Sequence, residues 1–178
     1  DPVDGEVISI VTFCQRDLLS KWISLWREQG RPLLPRCESP LPPGTVVDTE
    51  CKEAGQWGDE ARHHIGILRY GVNWTRSTDL GYAASVLASL QNSWSAAADA
   101  LLVRCMSYVA ATLDFAEYHI VSSREAKEGL KQITQSDASH AGHRDQRGQH
   151  CVSVTLESGV RERGMTKVTS LYESRKSK

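Results

Sequence analysis

The sequence has no excess of charge of either sign. Its 178 residues carry 21 Lys and Arg against 22 Asp and Glu, a net charge of -1. Nucleic-acid binding rests on phosphate contacts and leaves a basic footprint, so no nucleic-acid partner is expected. There is also no long apolar run. The least polar stretch, Leu80 to Val121, still contains Asp99, Arg104, Asp114 and Glu117, which excludes a simple membrane span. Membrane association is therefore expected only through segments outside this chain. Tight cysteine spacings are missing too. Cys14, Cys37, Cys51, Cys105 and Cys151 are odd in number and scattered, which makes a poor disulfide framework and favours a reducing, cytoplasmic compartment. No signal-peptide pattern is visible. Gly-x-Ser-x-Gly, the phosphate-binding loop, His-Glu-x-x-His and the Gly-rich dinucleotide turn are all absent. A non-enzymatic protein without a cofactor is expected. Internal repeats are absent as well.

What is present is ordinary globular material, 40% hydrophobic and 24% charged, of a length for about one domain. Glu6 to Gln29 carries apolar residues at mostly three- and four-residue steps (Val7, Ile10, Val11, Cys14, Leu18, Trp22, Leu25, Trp26). This predicts an amphipathic helix stopped by Gly30 and Pro32. Arg31 to Gly44 holds five of the six prolines and reads as a long loop, functional or mobile. Asp48 to Tyr70 reads as two short helices broken near Trp57-Gly58, the second ended by Gly71. Leu80 to Val121 has no proline and only Gly81. It predicts one helix from Asn73 or Ser77 to Gln91, a turn at Asn92-Ser93, and a second helix from Trp94 or Ser95 to Val121. Their apolar positions run almost all the way round, so the pair should form a buried central hairpin. Ser122 and Glu125 have capping-box spacing for a short helix to Gln135. The fold class expected is all-α, a helical bundle over residues 1–135. Residues 136–178 form a poorly structured polar tail carrying eight Lys/Arg against five Asp/Glu, with a weak hairpin signal over Cys151–Leu156 and Thr166–Tyr172.

The stretch that carries chemistry is Gly71-Val72-Asn73-Trp74-Thr75-Arg76. It resembles the BH1 signature of the Bcl-2 family of apoptosis regulators, with Thr75 where that family has a small Gly. The resemblance covers about ten residues closely. It implies a segment that opens the buried central helix and projects its Arg into a surface groove. The groove would bind an amphipathic BH3 helix of a partner protein. On that basis Arg76 would pair with an acidic residue of the ligand. Asn73 would cap the helix and reach the same partner, Gly71 would end the preceding helix, and Trp74 would pack inside. Ile65, Leu68, Val72 and Leu80 would line the apolar pockets.

Other residues suggest rival functions. His140, His143, His150 and Cys151 are imidazole and thiolate donors of the type zinc takes, pointing to a metal-dependent enzyme. Cys105 with His119 is a candidate nucleophile and base. Asp114 and Glu117 would share one face if the second central helix reached Val121. Asn73-Trp74-Thr75 fits a glycosylation acceptor, the basis of a secreted helical signalling protein with disulfides and a glycan at Asn73. The terminal Ser174–Lys178 is basic enough to touch phosphate or anionic lipid.

Overall fold

A computed structural model describes residues 7–45, 53–139, 149–158 and 170–176. A strand, β1 (Ile8–Phe13), comes first, followed by α1 (Arg16–Glu28), α2 (Gly58–Trp74), α3 (Ser77–Ser89) and α4 (Ala96–Ala111). Then come β2 (Glu117–Ser122), the short α5 (Ser123–Glu128), β3 (Leu130–Ser139), β4 (Gln149–Ser158) and β5 (Ser170–Lys176). Helices dominate and hold the core, and two small sheets are added to them. β1 and β2 form an antiparallel ribbon running from Ile8↔Ser122 to Phe13↔Glu117. β3, β4 and β5 form a second antiparallel sheet in that order.

The first helix starts ten residues later than its periodicity suggests. Val7, Ile10 and Val11 suit a helical stripe, but Ile8–Phe13 is rich in β-branched residues and pairs with β2. Cross-strand partners decide between the two. From Arg16 on, Leu19, Trp22, Ile23 and Trp26 are buried at three- and four-residue steps. The stop falls where Gly30 and Pro32 place it. Gly30 adopts φ 68°, its N–H donates to Arg27 O, and the Arg31 N–H donates to Trp26 O. This left-handed cap satisfies carbonyls the helix end leaves open.

The central pair is present but shorter than expected. Ser95 caps α4 by accepting from the Ala98 N–H at 3.4 Å, as its position after a turn predicts. α4 ends at Ala111, and residues 117–122 are strand. The polar residues Thr112 and Asp114 make the break, and β1 supplies a pairing partner. Asp114 and Glu117 therefore share no helix face. Ser123–Glu128 is helical, as the capping spacing suggests, but it passes into β3 at Leu130 instead of continuing to Gln135. β3 itself crosses residue 135. The expected stretch Cys151–Leu156 falls within β4, while of Thr166–Tyr172 only residues 170–172 fall within β5 and residues 166–169 lie outside the described residues.

The core is built from Leu19, Trp22, Ile23 and Trp26 of α1, Ile65 and Leu68 of α2, Leu80 and Leu87 of α3, and Leu102 and Met106 of α4. Cys37 and Leu41 of the proline-rich segment join it. Gly71 sits inside α2 rather than at its end. A Cβ there would lie 3.3 Å from Gln15 Oε1 and 3.4 Å from Leu19 Cδ2, so its smallness lets α1 approach α2 closely.

Candidate partner-binding site

Arg76 is the residue on which the predicted groove depends, and it is 2% exposed. It occupies the N-cap position of α3. Its Nε donates to Asp79 Oδ2 at 2.9 Å and its Nη2 to the same oxygen at 2.6 Å. On the other side Nη1 donates to Thr112 O at 3.0 Å and Nη2 to Thr112 Oγ1 at 2.7 Å. The guanidinium lies over Phe115 and Tyr108, with centroid distances of 5.3 and 5.8 Å. The Tyr108 hydroxyl also donates to Asp79 Oδ2 at 3.1 Å. Burial and the Asp79 charge push the Tyr108 phenol above its usual range. Arg76 thus ties the start of α3 to the carbonyl end of α4, where a cation is favoured. It does not reach a groove rim, which corrects the expected ligand contact. The missed signal was Asp79, three residues on, at ion-pair spacing for a helix.

The other residues of that predicted site divide similarly. Ile65, Leu68 and Leu80 are fully buried and Val72 nearly so, so they fill the core instead of lining an open pocket. Asn73 is exposed in the last turn of α2 and does not cap α3. The side chain of Trp74 lies outside what is described. Thr75 is buried, and its Oγ1 is without a partner, as is Gln15 Oε1.

An open cleft is found elsewhere. It has a volume of about 510 Å³ and lies between the end of α1, the segment after it and the last turns of α4. Leu33, Leu34, Pro35, Ala110 and Ala111 give it apolar surface, with Arg27 and Arg31 at one side. The proline-rich segment is pinned in place, not loose. The Leu34 N–H donates to Ser107 Oγ at 2.8 Å. The Cys37 thiol donates to Arg104 O at 3.3 Å, and Arg104 Nη2 donates to Ser39 Oγ at 3.0 Å. A smaller cleft of about 350 Å³ lies where Pro40, Pro42 and Pro43 meet Tyr82 and Ala83.

No family model, curated protein or solved structure matches this chain. The site therefore stands on its own geometry.

The wall behind Arg31 is aromatic. Its guanidinium lies 4.9 Å from the Trp26 ring centroid and 5.5 Å from that of Trp57, and it is ion-paired with Glu60. The Arg31 partnership holds the Glu60 carboxyl below its usual range. Behind it, His64 is 1% exposed, and its Nδ1 lies 3.0 Å from Trp22 Nε1. Burial first, then the Arg31 charge, lowers its pKa to about 4, so the ring is neutral at pH 7. Indole and guanidinium N–H groups only donate, and Arg31 Nη1 also lies within hydrogen-bonding distance of Nε2, so a neutral ring with one bare nitrogen can accept from Trp22 or from Arg31 but not from both. The Nε2 edge faces Arg31 and Glu60, with Glu60 Oε2 3.7 Å away. Arg31 is consequently committed to its aromatic wall. Arg27 is exposed and makes no ion pair recorded among the described residues.

The rival chemistries have less to build on. His140 and His143 lie outside the described residues, and His150 and Cys151 are described only as backbone of β4. Among the described residues, no group of three or more His, Cys, Asp or Glu is placed to hold a metal ion. Cys105 is fully buried, and burial pushes its thiol up to about 12, which suits packing and not nucleophilic attack. The side chain of His119 is not described. Asp99 accepts from Trp94 Nε1 at 2.6 Å and from the Trp57 N–H at 3.3 Å, a structural role. Asp114 pairs with Arg16 at 3.0 Å in an exposed contact. Cys14, Cys37 and Cys105 are free thiols. Among the described residues no helix is long and apolar enough to cross a membrane.

Proposed function

We propose that this chain is a non-enzymatic protein-interaction module, a helical bundle in design, that receives an amphipathic helix of a partner protein. The observation that carries this reading is the cleft of about 510 Å³, of mixed polarity, in which Leu33, Leu34, Ala110 and Ala111 lie beside Ser107 and the exposed Arg27. A helix that lays apolar residues of one face into such a cleft can bring an acidic side chain to the guanidinium. A divergent Bcl-2-like apoptosis regulator in the cytoplasm is the version to test first, with the ligand-facing cation at Arg27 instead of Arg76.

The test is titration calorimetry with a panel of BH3-type peptides, combined with methyl chemical shifts of Leu33, Leu34, Ala110 and Ala111. Binding that moves those methyls and weakens about tenfold in Arg27→Glu supports the reading; a tenfold change corresponds to about 1.4 kcal/mol. If no peptide binds at ~10 μM, a level that detects about 7 kcal/mol of affinity, the apoptosis reading ends. Peptides that bind while shifting other methyls place the site elsewhere.

A further inference from the structure

Among the described residues the ribbon formed by β1 and β2 has two strands, and β1 exposes apolar side chains on both of its faces. Ile10 is 61% exposed on one face, and Val11 and Phe13 are 49% and 47% exposed on the other. Val7, just before the strand, is 67% exposed. An isolated two-stranded ribbon is marginal in water. Native edge strands are normally blunted by charge, proline or a bulge. Ile8–Phe13 has no charge and no proline, and its register against β2 runs without a bulge.

The ladder shows which groups face outward. The Val7 carbonyl accepts from the Ser123 N–H at 2.8 Å, so Val7 points toward β2. Backbone direction alternates along a strand. Ile8, Ile10 and Thr12 therefore carry the N–H and C=O groups of the outer edge, where no further strand is paired among the described residues.

We infer that this outer edge is a self-association surface: β1 pairs antiparallel with β1 of a second copy of the chain about a two-fold axis at Ile10. The register follows from backbone parity, since outward-pointing residues can only face outward-pointing residues. Ile10 faces Ile10 of the second copy, Ile8 faces Thr12, Ser9 faces Val11, and Val7 faces Phe13. No charge faces another charge anywhere in this register. Each face keeps the same residue set across the axis, as an isologous contact requires. The product is a closed four-stranded sheet of order β2-β1-β1-β2, in which the apolar residues of β1 gain cross-strand neighbours. The occupant is a second copy, and not a charged strand from elsewhere, because an uncharged edge offers such a strand no complementary charge while its own sequence meets no repulsion. This surface is independent of the Arg27 cleft.

The experiment is sedimentation equilibrium of the full chain at ~100 μM, a concentration that populates complexes of about 5 kcal/mol or tighter. The wild type should sediment as a dimer. Ile10→Lys and Ile10→Glu each place like charges face to face and should each be monomeric, with unchanged helical circular dichroism because position 10 is exposed. An equal mixture of the two variants should recover the dimer, since Lys then faces Glu across the axis. A monomeric wild type overturns the proposal. So does a dimer that persists in either single variant, a mixture that stays monomeric, or a wild type that grows beyond the dimer.

Discussion

Arg76 Nη2 lies 2.6 Å from Asp79 Oδ2 within the first turn of α3, and the same nitrogen donates to Thr112 Oγ1 at the end of α4. One side chain thus closes the junction of the two central helices. Removing it strands a carboxylate and two acceptors of Thr112 in a largely dehydrated place. Arg76→Leu should therefore cost about 3 kcal/mol of unfolding free energy, the scale for breaking a buried pair on one side only. Arg76→Leu combined with Asp79→Leu should recover part of that loss, because no lone charge then remains. Urea denaturation of the two single variants and the double variant checks both values. A ligand-facing arginine on an open rim would give no loss at all.

Two glycines should respond oppositely to alanine. Gly66 lies inside α2 with nothing within 4 Å of an added Cβ, so Gly66→Ala should stabilise by about 1 kcal/mol through helix propensity alone. At Gly55 the same Cβ would fall 2.5 Å from Trp94 Cδ1 and 2.7 Å from Ser95 O. The Gly55 N–H donates to Trp94 O at 3.3 Å and the Ala96 N–H to Glu53 O at 3.0 Å. The backbone is thus held on both sides and cannot give way. Gly55→Ala should destabilise by about 2 kcal/mol, within the range of overpacking. Thermal unfolding of the two variants side by side measures the difference.

The cysteines should separate by reactivity. Cys14 is exposed, while Cys37 and Cys105 are buried, and the Cys105 thiol is pushed up to about 12. Thiolate is the reacting species, so a maleimide at neutral pH should label Cys14 long before Cys105. Peptide mapping by mass spectrometry gives the order. Early labelling of Cys105 would mean that α4 opens in the native state.

Local signals in the sequence carried most of the helical part. Gly30 and Pro32 mark the end of α1, Ser95 marks the start of α4, and the break at Trp57-Gly58 falls where α2 begins. These are decided within a few residues of chain. The ribbon was not legible because Ile8–Phe13 satisfies helical and strand periodicity equally, and its partner is about a hundred residues away in β2. The site failed in a related manner. Arg76 has the right neighbours in sequence for a groove residue, but Thr112 and Phe115, remote in sequence, enclose it. The cleft that is open depends on a proline-rich segment laid over α4 by Ser107 and Arg104. No periodicity reports such a contact.

His64 should make the protein acid-sensitive in a defined window. Its pKa is about 4 in the fold against 6.5 for the free side chain. Between those values the unfolded chain binds a proton that the native ring refuses, so stability falls as pH is lowered from 6.5 toward 4 and then levels off. The full effect is roughly 3 kcal/mol, at about 1.4 kcal/mol for each pKa unit. Glu60, held below its usual range by Arg31, acts in the same direction at more acid pH. Its contribution is present above the ordinary carboxylate pKa and fades as pH falls below it. In His64→Asn an amide oxygen can still accept from Trp22 Nε1 but nothing titrates near neutrality. That variant should be less stable at pH 7, yet it should lose the slope between pH 6.5 and 4 while keeping the acid-side loss due to Glu60. Unfolding free energies from about pH 2 to 8 distinguish the two groups, His64 acting above pH 4 and Glu60 below the ordinary carboxylate pKa. A wild-type curve flat between pH 6.5 and 4 would mean that His64 is protonated as readily in the fold as in water, and that burial and the Arg31 charge do not hold it neutral.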